Sequence, residues 1–195
     1  MATSPDPALT LHTVCGLEEL SGHGEAGISH VLSLLDPGTL EPVAFEGYGV
    51  HRRTTLRFHD CLGPGTDKHG TTLVPPERED VAAILAFGGD LRDASHVLVH
   101  CHYGLSRSTA ALLMLFAQGE PDTEAGALVA RLHALREPAW PNARMIAFAD
   151  AALGRGGELS EAVRRLHALQ LTVRPHLADL LRGLGRGPEV EAALR

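Results

Sequence analysis

Cys101 and Arg107 are the residues of this chain with the clearest chemical potential: a sulfur nucleophile and a guanidinium with five residues between them. They belong to the segment HCHYGLSRS, residues 100–108. A thiolate attacks electrophilic centres, and a guanidinium donates two parallel hydrogen bonds to the oxygens of a phosphate or carboxylate. The pair therefore indicates nucleophilic chemistry on a bound oxyanion.

The flanking residues place this segment between a strand and a helix. Residues 95–100 form a short run rich in valine and leucine, typical of a buried strand, and residues 108–117 form an apolar run typical of a buried helix. The first turn of a helix carries unpaired N–H groups and the positive end of the helix dipole, which favour a bound dianion and an ionised thiol. We therefore expect Cys101 to be a thiolate at neutral pH.

The rest of the segment fits a phosphate cradle. Gly104 allows the backbone to approach a ligand closely or to adopt a positive φ. The Ser108 hydroxyl can hydrogen-bond the sulfur and stabilise it as a leaving group. The residues expected to bind phosphate are His102, Tyr103, Gly104, Leu105, Ser106 and Arg107.

The segment resembles the signature of the cysteine-dependent protein tyrosine phosphatase superfamily, His-Cys-x5-Arg-Ser/Thr, at every fixed position. The serines on both sides of the arginine are more similar to the dual-specificity branch, and short bacterial tyrosine phosphatase-like proteins have similar segments. The resemblance covers about residues 50–153. It implies hydrolysis of phosphotyrosine through a phosphocysteine intermediate, with phosphoserine and phosphothreonine left open. His100 would be buried, either as a core histidine or as a residue that holds Cys101 in place.

The resemblance also implies an aspartate upstream of the loop that protonates the leaving oxygen. Asp60 follows an extended run over residues 54–59, and the ends of strands are where open α/β sheets place their chemistry. Asp60 lies 41 residues before Cys101, and Asp67 lies 34 residues before it. We interpret Asp60 as the acid, with Asp67 as the alternative.

Two other functions stay open. Rhodanese-type sulfurtransferases also use a cysteine loop that ends in arginine, although His100 and Gly104 favour a phosphatase. A catalytically slow module could use the same cradle to bind phosphorylated peptides. His100, Cys101 and His102 are adjacent and lack the spacing of structural zinc ligands, so we expect no metal, and no cofactor either.

Composition is that of a small cytoplasmic enzyme. The chain has 195 residues, a net charge of −7 and a pI near 5.9, which argues against binding to nucleic acid or an anionic membrane. Three cysteines without framework spacing argue against disulfides, and residues 1–7 lack the pattern of a signal peptide. The loop carries no lysine for additional phosphates. The expected partner is therefore a phosphorylated protein or peptide.

Strands alternate with helices in the first half, which predicts an α/β fold with a mostly parallel central sheet of four to five strands and helices on both faces. The predicted strands cover residues 9–15, 28–35, 54–59 and 96–100. The C-terminal half reads as helical. We expect a single domain over residues 1–195, with a core over about 9–153.

A helical extension over about residues 158–195 is rich in leucine and could pack on the domain or join a second copy as a homodimer. Pro141-Asn142 is similar to a short element of dual-specificity phosphatases, but we interpret Asn142 mainly as a helix cap. Cys61 adjoins the predicted acid and could form a reversible disulfide with Cys101.

Overall fold

The structure, a computed structural model, describes residues 10–67 and 69–195. Its centre is a sheet of four parallel strands, and two short strands pair separately as an antiparallel hairpin. The strands are β1 (Leu11–Cys15), β2 (His30–Leu35), β3 (Arg52–Arg57), β4 (Gly65–Thr66), β5 (Thr72–Leu73) and β6 (His96–His100), and the sheet order is β1-β6-β2-β3.

The sheet confirms the predicted fold class, with small differences in strand bounds. The predicted start of β1, Leu9, lies outside the described residues. β3 begins and ends two residues before its predicted bounds. This edge strand pairs residue for residue with β2, from Arg52 opposite His30 to Arg57 opposite Leu35, so the length of its partner sets its ends.

Alternate residues of the strands enter two different cores. On β6, Val97 and Val99 pack into the main core, whereas Leu98 packs into a smaller cluster with Phe45 and Leu20. Two short 3₁₀ helices, Leu17–His23 and Val43–Gly47, cover the smaller cluster. The α-helices cover the main core, so the sheet has helices on both faces.

Helices make up the rest of the described fold. The first helix has Val81 and Ile84 in the core as expected, but Phe87 is buried there as well while Leu85 is only partly covered. None of the described helices is both long and apolar enough to span a bilayer. The helices are α1 (Arg78–Gly89), α2 (Arg107–Gly119), α3 (Ala125–Leu135), α4 (Ala143–Ala152), α5 (Glu158–Val173), α6 (Leu177–Gly183) and α7 (Gly187–Ala193).

The C-terminal helices pack against the rest of the chain around Trp140. Leu171 of α5, Leu181 of α6 and Val190 of α7 are buried in one cluster with Trp140. Burying each aliphatic side chain contributes roughly 1.5–3 kcal/mol. The tail is therefore held on the domain by a small core of its own.

The residues of the candidate site follow the carboxyl ends of the sheet strands. Gly16 follows β1, Asp36 follows β2, Asp60 lies shortly after β3 and Cys101 follows β6. Parallel strands end at the same edge of a sheet, so these residues share one side of the molecule.

Candidate active site

The loop from Cys101 to Arg107 turns its carbonyl groups outward onto a scaffold. All five carbonyl oxygens from residue 102 to residue 106 accept hydrogen bonds from protein donors. In chain order the backbone and arginine donors are the Leu17 amide (2.9 Å), the Arg136 guanidinium twice (3.1 and 3.1 Å), the Trp140 amide (2.7 Å) and the Ala110 amide (2.9 Å), and the Thr109 hydroxyl also donates to the last two carbonyls. Three segments therefore hold the outer side of the loop: the segment after β1, Arg136 after α3, and the segment before α4.

The outward carbonyls turn the amides inward. A peptide's C=O and N–H point in opposite directions, so the N–H groups of residues 103–107 face the inside of the loop. Within residues 10–67 and 69–195, none of these five N–H groups donates to a protein atom. Five amides without protein acceptors, in a loop at the N-terminus of α2, provide donors for a bound anion.

Two glycines make this loop shape possible. Gly104 has φ +69°, and a Cβ there would lie 2.4 Å from the carbonyl carbon of Cys15. A Cβ on Gly16 would lie 2.9 Å from the carbonyl oxygen of His102. Gly104 therefore has both features that the sequence suggested, a positive φ and a close backbone approach, and the end of β1 is pressed against the loop.

Cys101 lies at the base of the cradle. It follows β6 directly, is 2% exposed, and its Sγ is 3.2 Å from the Ser108 hydroxyl oxygen. The hydroxyl can donate to an ionised sulfur, which stabilises negative charge on it. The structure places the predicted nucleophile and its predicted partner together.

Two of the three guanidinium nitrogens of Arg107 bind protein acceptors. Its Nη1 donates to Asp36 Oδ1 at 2.6 Å and to the Phe58 carbonyl oxygen at 2.5 Å, and its Nη2 donates to His102 Nδ1 at 3.2 Å. Its Nε is buried and donates to no protein acceptor in the described part of the chain. An unpaired buried donor is costly, and a bound oxyanion would satisfy it.

Asp36 was missed by the sequence analysis. It starts the turn Asp36-Pro37-Gly38, and an aspartate in such a turn is usually a turn former. Its position directly after a buried parallel strand was the available signal. In the structure its carboxylate orients the guanidinium of Arg107.

His100 lies fully buried behind the loop. Its Nε2 is 2.7 Å from the Ser33 hydroxyl, and its ring contacts Phe45. Burial lowers the pKa of His100 to about 4, so the ring is neutral at physiological pH. Tyr103, in contrast, is 79% exposed at the rim of the cradle.

Asp60 is the predicted acid that the fold brings to the loop. It accepts hydrogen bonds from Ser106 Oγ at 2.8 Å, Asn142 Nδ2 at 2.8 Å and Arg186 Nη1 at 3.1 and 3.2 Å. Burial alone would raise the pKa of Asp60, but the charges of Arg186 and Arg107 and the two neutral hydrogen bonds lower it below its ordinary value. Asp60 is therefore a carboxylate in this arrangement.

Asp67 lies away from the loop. It belongs to the turn between β4 and β5, where its Oδ1 accepts from the amides of His69 and Thr71 at 2.8 Å each. Its hydrogen bonds in the described structure all stay within this turn. Of the two candidate aspartates, Asp60 is the one that contacts the loop.

Arg186 was also missed. It lies between α6 and α7, is 4% exposed, and donates from Nη1 to Ser106 Oγ at 2.6 Å as well as to Asp60. Its Nε and Nη2 each bind Glu189 at 2.7 Å. Nothing near Arg186 in the sequence indicates this contact, because it depends on how the whole tail packs.

Asn142 has two roles. Its side-chain oxygen accepts from the amides of Arg144 and Met145, which confirms the predicted cap of α4. Its Nδ2 also donates to Asp60, a contact that the cap interpretation did not include.

The three cysteines are free thiols. Burial raises the pKa of Cys61, which opposes its reactivity. The disulfide between Cys61 and Cys101 stays a prediction. Among the described residues, no three His, Cys, Asp or Glu side chains lie close enough together to share a metal ion.

Several solved structures match this fold, and dual-specificity phosphatases are among them. Human DUSP28 matches with a TM-score of 0.54 and 12% identity, covering 74% of this chain and 94% of that one. DUSP15 matches with 0.53 and 15%, covering 82% and 94%. PTPMT1, solved in complex with PI(5)P, matches with 0.51 and 10%, covering 74% and 91%.

These structural matches show the fold of the chain. The sequence comparisons found no match. No protein-family sequence profile matches the chain, and no curated protein matches its sequence. The chain has the fold of the dual-specificity and related cysteine-dependent phosphatases, as the resemblance of its loop implied.

Proposed function

We propose that the chain is a phosphoprotein phosphatase that hydrolyses phosphate monoesters, phosphotyrosine foremost, through a phosphocysteine intermediate. The observation that carries this proposal is the cradle: within one loop, between Cys101 and Arg107, five amides and the buried Nε of Arg107 have no protein acceptor in the described residues, and the loop begins at the Cys101 sulfur. A phosphoryl group bound there has its oxygens on the donors and its phosphorus facing the sulfur.

The reaction has two steps. In the first, the Cys101 thiolate attacks phosphorus and the substrate hydroxyl leaves, while the amides and Arg107 bind the phosphoryl oxygens. In the second, water attacks the phosphocysteine and the thiolate departs, stabilised by Ser108. Asp60 gives a proton to the leaving oxygen in the first step and takes the proton of the attacking water in the second. Its hydrogen bond with Ser106 supports this role, because it brings Asp60 to the loop.

The loop favours a monophosphate ester on a protein. Its variable positions are His102, Tyr103, Leu105 and Ser106, none of them lysine or arginine, so the cradle offers no cation for a second phosphate. PI(5)P is the ligand in the PTPMT1 structure, and we do not assign it to this chain. Tyr103, exposed at the rim, can contact the residue that carries the phosphate.

We place the protein in the cytoplasm, because a nucleophilic thiol needs reducing surroundings and the three cysteines are free. Arginine and amide donors supply the positive field that the phosphoryl group needs, so the proposed reaction needs neither metal nor cofactor.

One observation favours the phosphopeptide-binding module as a second candidate. Asp60 is ion-paired with Arg186 and lacks the proton that a general acid must give. A chain with a complete cradle and slow turnover would bind phosphopeptides and keep them.

The test is a panel of phosphopeptides with Cys101→Ser as the control. The wild-type protein should release phosphate from phosphotyrosine peptides, and Cys101→Ser should bind the same peptides without releasing any. Binding without release by the wild type would establish the binding module instead. Formation of a persulfide on Cys101 with thiosulfate, and no phosphate release, would establish a sulfurtransferase.

A further inference from the structure

Arg136, the residue after α3, places its guanidinium against the outer side of the loop. Its Nε donates to the Gly104 carbonyl oxygen and its Nη2 donates to the Tyr103 carbonyl oxygen, both at 3.1 Å. The Leu17 amide binds the preceding carbonyl, that of His102, at 2.9 Å. Three consecutive carbonyls of the loop are therefore held from the outside, two of them by one side chain.

Each held carbonyl sets the direction of one amide on the inner side of the loop. The C=O of one residue and the N–H of the next belong to the same planar peptide group and point in opposite directions. The two carbonyls that Arg136 binds therefore orient the N–H groups of Gly104 and Leu105. Neither N–H donates to a protein acceptor within residues 10–67 and 69–195, so both are available to an oxyanion.

The charge of Arg136 also strengthens these two amides as donors. A hydrogen bond from a guanidinium to a carbonyl is charge-assisted, and such bonds are roughly twice as strong as neutral ones. A peptide group whose oxygen accepts this bond is polarised, so its N–H becomes a better donor on the opposite side. Arg136 thus adds orientation and positive field to the cradle while its own nitrogens stay on the outer side of the loop.

Glu19 fixes the guanidinium of Arg136 in this position. Its Oε1 accepts from Nη1 at 2.7 Å and its Oε2 accepts from Nη2 at 2.9 Å, a bidentate pair. Its Oε2 also accepts from the Gly16 amide at 2.6 Å, next to the end of β1. The hydrogen bond from Arg136 lowers the pKa of Glu19, which keeps the carboxylate ionised. All three nitrogens of Arg136 therefore have protein partners.

We infer that Arg136 is a positioning residue for the cradle: it orients the amides of Gly104 and Leu105 toward a bound oxyanion, and Glu19 holds it in place. The inference rests on the proposed function, because it concerns the same anion site. It assigns part of the oxyanion affinity of that site to a side chain outside the loop.

A purely structural role of this ion pair leads to a different expectation. If Glu19 and Arg136 only joined the 3₁₀ helix Leu17–His23 to the end of α3, their loss would lower Tm and leave the oxyanion affinity unchanged. The pair of Arg131 and Glu120 serves as a matched control. Glu120 follows the 13 residues of α2, so it lies about 20 Å from the loop at the other end of that helix.

The experiment measures the dissociation constant of inorganic phosphate by isothermal titration calorimetry on the full chain, together with kcat/KM for p-nitrophenyl phosphate and Tm. Arg136→Met should raise the dissociation constant about tenfold and lower kcat/KM by about 10–10²-fold. This loss is smaller than the roughly 10²–10³-fold cost of removing an oxyanion donor, because the two amides remain but are less well oriented. Arg131→Met should match the wild type in phosphate affinity and kcat/KM, whatever its Tm.

Arg136→Lys separates the shape of the guanidinium from its charge. A lysine keeps the positive charge but ends in one nitrogen, which cannot bind two carbonyls and Glu19 with the geometry of a planar fork. Its phosphate dissociation constant should fall between those of the wild type and Arg136→Met. This variant also decides the matter if Arg136→Met does not fold.

Equal phosphate affinity in Arg136→Met and Arg131→Met would overturn the inference and leave the proposed function standing. An Arg136→Lys variant that binds phosphate as tightly as the wild type would also overturn it. The titration needs no turnover, so the two proposals can fail separately. A wild type that binds phosphate, loses affinity in Arg136→Met and hydrolyses no aryl phosphate would support the inference and overturn the proposed function. No phosphate binding by the wild type would overturn both.

Discussion

Arg186 Nη1 lies 3.1 Å from Asp60 Oδ2, although 126 positions separate the two residues in the sequence. The contact joins the turn between α6 and α7 to the end of β3, and it makes the C-terminal tail part of the candidate active site. Because the tail is anchored by its own small core around Trp140, the geometry of Asp60 depends on residues outside the loop motif.

The first prediction concerns the nucleophile. Cys101→Ser should abolish hydrolysis of p-nitrophenyl phosphate while leaving the circular dichroism spectrum and Tm nearly unchanged, because serine fills the same space but is a poor nucleophile without a base. Cys61→Ser is the matched control, a buried thiol beside Asp60, and should retain activity. Activity in Cys101→Ser equal to that of Cys61→Ser would contradict the assignment.

The second prediction concerns the arginine. Arg107→Lys should lower kcat/KM by about 10²–10³-fold, since a lysine offers a point charge in place of a planar set of donors. Asp36→Asn should weaken the same interaction indirectly, with a loss of about tenfold, because the amide orients the guanidinium less strongly.

Steady-state kinetics on aryl phosphates would measure both changes. Both variants should show a lower kcat/KM and a higher inhibition constant for inorganic phosphate. A fully active Arg107→Lys would show that the cradle amides alone bind the phosphoryl group. An Asp36→Asn variant more impaired than Arg107→Lys would show that Asp36 does more than orient the arginine.

The third prediction concerns the second step. Ser108 Oγ is 3.2 Å from the sulfur, so Ser108→Ala should slow departure of the thiolate from phosphorus more than it slows the initial attack. Rapid mixing with p-nitrophenyl phosphate should then give a burst of nitrophenol followed by a slower steady state. A linear trace with reduced rate would mean that Ser108 assists the first step instead.

The fourth prediction concerns acid stability. Burial lowers the pKa of His100 to about 4 and that of His167 to about 3, while an unfolded histidine titrates near 6.5. Between about pH 6.5 and pH 4 the unfolded chain therefore binds protons that the folded chain does not, so the free energy of unfolding falls as the pH falls. Thermal melts across this range should show Tm decreasing toward acid.

His167→Phe tests the source of this loss. His167 is stacked on Trp140 with ring centroids 3.9 Å apart, and phenylalanine keeps the stack but cannot titrate. The variant should lose less Tm between pH 6.5 and 4 than the wild type, even if its Tm at neutral pH is lower through loss of the bond to the Pro141 carbonyl. His69→Asn, at an exposed histidine, should keep the wild-type slope.

The sequence predicted the parts of the site that are contiguous. Cys101, Arg107 and Ser108 lie within eight positions, and a strand and a helix on either side fix their relative geometry. Asp60 was located because strand ends in a parallel sheet meet at one edge. Asp36 satisfies the same rule, but its turn sequence suggested a purely local role.

Arg186 could not be predicted, because its contact with Ser106 spans 80 positions and depends on the packing of three helices around Trp140. Likewise, the bounds of β3 came from its pairing with β2 rather than from its own residues. Such long-range contacts lower the pKa of Asp60, and the role of Asp60 as the acid stays a prediction.

The most direct test of the account is the mass of the protein quenched in acid during turnover of p-nitrophenyl phosphate, with Ser108→Ala used to accumulate the intermediate. The account predicts one added phosphoryl group, mapped by peptide digestion to Cys101 and absent from Cys101→Ser. Phosphate release with no adduct on Cys101, or an adduct on another residue, would contradict it.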